Sequence, residues 1–196
     1  MQRVTLFSDL TEDNTENILS QIFPVDIPNK VFAYMPSGGI KNSQDYIDQW
    51  EAIARRHGAK FNIINDALRS HEEQRKLLES NILLISGGNT FNLLLNLRKS
   101  GLDQSIKEFV TKRDFVLAGF SAGAIVLTPT IEICTLPNFD ENIAGLKNFF
   151  GLGIVDFEIF PHYEKYLHES ILSEYQKTTN NRVQAITNED YISINL

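Results

Sequence analysis

Gly119-Phe120-Ser121-Ala122-Gly123 puts a serine among small residues, directly after the apolar run Phe115–Ala118 and ahead of Ala124–Leu127. A serine held on a tight strand-to-helix turn projects its hydroxyl from the edge of a sheet, and only small neighbours let the backbone turn so sharply. The helix that follows aims unpaired amides at the same spot, which favours a developing negative charge. That chemistry is nucleophilic attack on a carbonyl. The alternative is a glycine-softened turn whose serine only caps the helix.

Ser86-Gly87-Gly88-Asn89-Thr90 forms a second junction of this kind, between the apolar run from Ile82 and the helical stretch Phe91–Leu97. Two adjacent glycines let main-chain amides approach a ligand with no Cβ in the way. An oxyanion needs two fixed donors. The residue after the serine, Ala122, supplies one, and Gly88 is the candidate for the other. Neither dinucleotide-binding nor P-loop spacing is present.

A serine hydroxyl is a poor nucleophile until a base takes its proton, and the chain has only four histidines. His57 falls near the end of an amphipathic helix and His71 in a highly charged stretch, both positions of solvated residues. His168 falls within a helix. His162, in Phe160-Pro161-His162-Tyr163-Glu164, alone stands at the end of an expected strand, which makes it the candidate base. No metal is expected, because His162 and His168 are six positions apart and no His-Glu-x-x-His occurs.

Short β-branched or aromatic runs must hold these junctions in place. Expected strands are Val4–Phe7, Val31–Met35, Phe61–Ile64, Ile82–Ser86, Phe115–Ala118, Ile131–Cys134, Val155–Phe160, Val183–Ile186 and Tyr191–Ile194. Between them, Tyr46, Ile47, Trp50, Ile53 and Ala54 share one face of a helix over Asn42–His57, capped by Asn42 or Ser43 and ended by Gly58. Leu167, Ile171 and Tyr175 mark another helix face. Such alternation predicts an α/β chain with a mostly parallel sheet covered by helices on both faces, and sites at the carboxyl ends of its strands.

At 196 residues the chain suits one domain, residues 1–196, with a core large enough to need no disulfide. One cysteine, Cys134, excludes an intrachain disulfide. A formal charge of −7 argues against nucleic-acid or anionic-membrane partners. The first ten residues lack a signal peptide's regions, and no apolar stretch approaches the ~20 residues of a membrane span. The expectation is a cytoplasmic protein acting on a small substrate, its oligomeric state left open.

Taken together, Gly87-Gly88-Asn89-Thr90-Phe91, Gly119 to Ala124, Pro129-Thr130-Ile131 and Pro161-His162 resemble the aspartyl dipeptidase (dipeptidase E) family of serine peptidases, to which cyanophycinases are related. The resemblance runs from about Val31 to Tyr163. It implies a class I glutamine-amidotransferase-like, flavodoxin-like fold, with Ser121 as nucleophile, His162 as base and the amides of Gly88 and Ala122 as oxyanion donors. It implies no cofactor, and a small peptide substrate, with N-terminal aspartate the preference of the family. The family's triad aspartate follows Pro-Thr-Ile, where this chain has Cys134 or Thr135. Glu132 and Glu164 are the nearby carboxylates, and Glu164 is the expected third member because amidotransferase relatives use a His-x-Glu arrangement. Recognition of an acidic substrate would require a cation, with Arg98, Lys165 and Arg182 as candidates. The competing readings are an α/β-hydrolase-like esterase and an inert binding module of the same fold.

Overall fold

Strand residues alternate between two hydrophobic layers, and this alternation builds the molecule. The computed structural model describes residues 1–41 and 43–196. Its strands are β1 (Gln2–Phe7), β2 (Val31–Met35), β3 (Lys60–Ile63), β4 (Ile82–Ile85), β5 (Phe115–Phe120), β6 (Phe157–Phe160), β7 (Arg182–Ala185) and β8 (Tyr191–Asn195). The helices are α1 (Thr15–Ile22), α2 (Gln44–Arg56), α3 (His71–Glu79), α4 (Thr90–Ser100), α5 (Leu102–Phe109), α6 (Ala122–Val126) and α7 (Lys165–Gln176). Six strands form one sheet in the order β3-β2-β4-β5-β1-β8, parallel throughout except for the antiparallel edge strand β8. On one face, Phe32, Tyr34, Ile82, Leu84, Val116 and Ala118 pack with the buried residues of α1 and α2. On the other, Ala33, Met35, Leu83, Ile85, Phe115 and Leu117 pack with those of α4, α5 and α6. Both faces are therefore covered, as near-continuous apolar strands require.

Local signals explain the helix ends. Asn89 caps α4, its Oδ1 accepting from Asn92 N at 3.0 Å, and Gly101 at φ 80° ends it. In α2 the buried residues are Ile47, Trp50 and Ala54, while Tyr46, expected on that face, is exposed. Ser43 takes the N-cap position of α2, but its hydroxyl donates to Gly39 O rather than serving the helix amides. The alternative cap, Asn42, lies outside the described residues. In α7 the buried residues are Leu172 and Tyr175, and Leu167 faces solvent.

Two segments depart from expectation. Ile131–Cys134 is not a strand: Glu132–Thr135 form a single 3-10 turn in which Ile133 and Cys134 are buried. At its start Thr130 makes an isolated antiparallel bridge with Phe150 and Ile131 N donates to Phe149 O at 2.7 Å, and the pairing goes no further. Strands β6 and β7 do not enter the main sheet either. They pair with each other in parallel, Phe160 opposite Ala185, so the segments that follow them leave side by side.

Candidate active site

The elbow is set by steric contact. Ser121 has φ 50° and ψ −111°, a conformation that costs on the order of 1–3 kcal/mol and persists only where the surroundings impose it. Its amide continues the β1–β5 ladder by donating to Phe7 O at 2.9 Å, and its carbonyl accepts from Ala124 N and Ile125 N at the start of α6. A Cβ on Gly123 would lie 2.0 Å from Ile85 O, and one on Gly119 would lie 2.7 Å from Ala124 Cα. The two glycines thus allow α6 to press against the ends of β4 and β5, and that approach fixes the serine.

Ser121 Oγ lies 2.8 Å from His162 Nε2. His162 follows β6 with φ 55°, and its amide donates to the hydroxyl of buried Ser8 at 3.0 Å. Ser8 in turn donates to Ile186 O at 3.2 Å, so the residue just after β1 ties the histidine to the segment after β7. In that segment Asn188 Oδ1 lies 2.7 Å from His162 Nδ1. A carbonyl oxygen only accepts, so the Nδ1 proton sits on the ring and Nε2 is left to accept from the serine hydroxyl. Asn188 is itself held, its main-chain oxygen accepting from Asn14 Nδ2 at 2.8 Å.

Glu164, the expected third member, does not take that place. It is the exposed N-cap of α7, and its amide donates to His168 Nδ1 at 2.9 Å. The His-x-Glu spacing here crosses from the end of β6 into the start of a helix, which carries the carboxylate away from the ring. Glu132 is exposed on the 3-10 turn. Asn188 is no carboxylate, so the logic of a charged third member does not point to it. The available signal was a polar residue just past a strand, β7, that runs parallel to the one bearing His162.

Two cavities meet at Ser121 and Gly88. One, of 320 Å³, is bordered by Thr90, Ile125, Phe139, Asp140, Phe160 and His162 among others, and the second, of 330 Å³, by Tyr34, Ser37, Ser43, Tyr46 and Ser86. The second lies at the carboxyl ends of β2 and β4, where the strand order reverses direction, the usual position of a ligand crevice in such sheets. Of the four non-glycine residues with positive φ among those described, Ser121, Asn138 and His162 all border the first cavity, so backbone strain is concentrated there. Gly88 has φ 144°, and a Cβ on it would lie 2.7 Å from Ser37 Oγ. Among the described residues, the amides of Gly88 and Ala122 donate no hydrogen bond within the chain.

The remaining candidates lie elsewhere. Burial pushes the Cys134 thiol up to about 12, so it stays protonated and unreactive. Arg98 donates to the main-chain oxygens of Asn148 and Phe150, Lys165 pairs with Glu169, and Arg182 pairs with Asp156. His57 stacks on Phe23 with ring centroids 4.7 Å apart, and His71 is exposed at the start of α3. His168 borders the first cavity with its Nδ1 already accepting from Glu164.

A hydroxyl, an imidazole and an amide oxygen in series, beside unpaired amides at a helix start, can carry a proton away from the hydroxyl and bind an oxyanion. Comparison with known proteins agrees with the resemblance seen in the motifs. The profile of peptidase family S51 matches residues 7–195. An uncharacterised peptidase of Pasteurella multocida is 27% identical over 179 residues, covering 88% of this chain and 85% of its own. Peptidase E of Salmonella arizonae is 32% identical over 137 residues, covering 69% of this chain and 56% of its own. A crystal structure from Listeria monocytogenes superposes with a TM-score of 0.76 at 22% identity, over 100% of this chain and 99% of that one, and so shares the fold. The chain therefore belongs to peptidase family S51 and is a hydrolase of the serine-peptidase type.

Proposed function

We propose that this chain hydrolyses short peptides through an acyl-enzyme on Ser121, with His162 as base and Asn188 as the partner that orients the imidazole. The observation that carries the reading is the 2.8 Å contact between Ser121 Oγ and His162 Nε2 at a strained elbow. In the first half-reaction Ser121 attacks the scissile carbonyl while Nε2 takes the hydroxyl proton. The amides of Gly88 and Ala122 hold the oxyanion, each such donor contributing about 3–4 kcal/mol where it has been measured. His162 then gives the proton to the leaving amine, and water releases the acyl group by the reverse sequence.

The aspartate preference implied by the resemblance would need a cation beside the acyl group. Among the described residues no arginine or lysine borders either of the two cavities. The substrate class proposed is therefore short peptides whose first residue is neutral. Changing Ser121 to Ala should lower kcat by at least ~10⁴-fold on any peptide the wild type cleaves, with an unchanged unfolding midpoint. Near wild-type turnover in this variant would reject the assignment.

A further inference from the structure

Asp66, between β3 and α3, is a fully buried carboxylate that the chemistry above does not use. Its Oδ1 accepts from Gly39 N at 2.7 Å, and its Oδ2 accepts from Gly38 N at 3.0 Å and from Asn96 Nδ2 at 3.0 Å. Gly38 and Gly39 have φ of 81° and 88°, a left-handed pair that turns two successive amides onto one carboxylate. Among the described residues no arginine or lysine pairs with Asp66, so neutral donors alone compensate its burial. Such a group holds its three donors firmly, and each of them loses its acceptor if an oxygen is taken away.

The donors it holds flank Gly88. Strands β2 and β4 are neighbours, with Met35 opposite Ile85 and Ser86 N donating to Met35 O at 2.9 Å, so the loops after them leave the sheet side by side. Ser37, in the loop that Asp66 binds, backs directly onto Gly88: a Cβ there would lie 2.7 Å from Ser37 Oγ and 2.9 Å from Ser37 Cβ. Asn96 belongs to α4, the helix that starts two residues after Gly88. Asp66 thus joins the backing of Gly88 to the helix that continues from it. The Gly88 amide has no hydrogen bond within the described chain to aim it, so its direction depends on these flanks. We infer that Asp66 is a positioning residue: it fixes the Ser37–Gly39 loop against Gly88 and so aims the Gly88 amide at the oxyanion. The inference rests on the peptidase reading and deepens it.

The test uses an alkyl ester of an acyl residue that the wild type releases from peptides, together with its thiono ester, in which sulfur replaces the oxygen of the attacked carbonyl. Amides placed for an oxyanion serve the larger, weakly accepting sulfur poorly, so a misaimed amide costs the oxygen ester more. Asp66→Asn leaves one oxygen for the three donors. It should lower kcat/KM on the oxygen ester by about 10- to 100-fold, chiefly through kcat, and on the thiono ester by less than about 3-fold. A general loosening of the fold would lower both alike. Asn96→Ala removes one donor and leaves both amide bonds to Asp66. It should give the same selective loss at about 3- to 10-fold, and it decides the question if Asp66→Asn does not fold. Equal losses on the two esters, or no loss in variants with wild-type circular dichroism, would overturn the inference and leave the peptidase reading intact. Turnover of ester and peptide that survives Ser121→Ala would bring down both.

Discussion

At the residue scale, the unusual feature is a neutral partner for the imidazole. Asn188 Oδ1 lies 2.7 Å from His162 Nδ1 and so orients the ring, but in the proposed mechanism it brings no charge to balance the imidazolium formed as the proton leaves Ser121. Orientation and charge compensation, joined in a carboxylate, are thus separable here by mutation. Asn188→Asp should raise kcat/KM on the alkaline side of the profile. The new carboxylate favours the protonated ring, so the acid limb of the pH profile should move to higher pH than in the wild type. Asn188→Ala loses the orienting bond and should lower kcat by about 10²-fold. Stopped-assay pH profiles of the three proteins check both. A profile that does not move in the Asp variant would mean the ring is not the base.

At the scale of elements, the site is a set of strand ends. Ser121 follows β5, Gly88 follows β4, His162 follows β6 and Asn188 follows β7, while Phe7 and Ser8 at the end of β1 bind both the serine and the histidine segments. The ladder partners of β1 hold the elbow and the Gly123 contact holds α6 against it. Gly123→Ala should therefore destabilise the fold by about 3 kcal/mol, since a methyl 2.0 Å from Ile85 O forces α6 outward. Gly153→Ala, which meets open space at φ 64°, should cost only about 1 kcal/mol of backbone strain. Urea unfolding of the two variants distinguishes them, and equal midpoints would show that the elbow is not sterically fixed. Most of this scaffold was legible in the sequence, because apolar runs bounded by Gly, Ser and Asn announce buried strands and their turns. The same runs mark Ser121, His162 and Gly88 as residues that follow strands, and the structure places them after β5, β6 and β4. What escaped depends on pairing between distant segments. The run Ile131–Cys134 has strand composition but closes into a 3-10 turn after one isolated bridge at its start, and Asn188 reaches His162 because β6 and β7 pair outside the main sheet.

For the molecule as a whole, the two hydrophobic layers carry the stability, and His57 is a titrating group lodged at the margin of one of them. His57, expected to be solvated, is half-buried against Phe23 at the end of α2, its Nε2 without a partner among the described residues. Burial, followed by the charge of Arg56, holds its imidazole below the ordinary 6.5. As pH falls through about 6.5 the unfolded chain takes up a proton that the folded chain resists, so stability declines from there down to the lowered folded value. Phenylalanine at position 57 keeps the stack and removes the proton. His57→Phe should therefore lose less stability than the wild type between about pH 7.5 and about pH 5.5, read from urea midpoints. Identical losses would place the titration elsewhere. At the carboxyl ends of the strands that these layers cover, the two cavities meet at Ser121 and Gly88.

The reactivity of that hydroxyl is measured most directly by mass spectrometry after exposure to a fluorophosphonate, in the wild type and in His162→Ala. The account predicts one adduct per chain on the peptide containing Ser121, formed at least ~10²-fold more slowly without the imidazole. Labelling at another residue, or at Ser121 with a rate indifferent to His162, would contradict it.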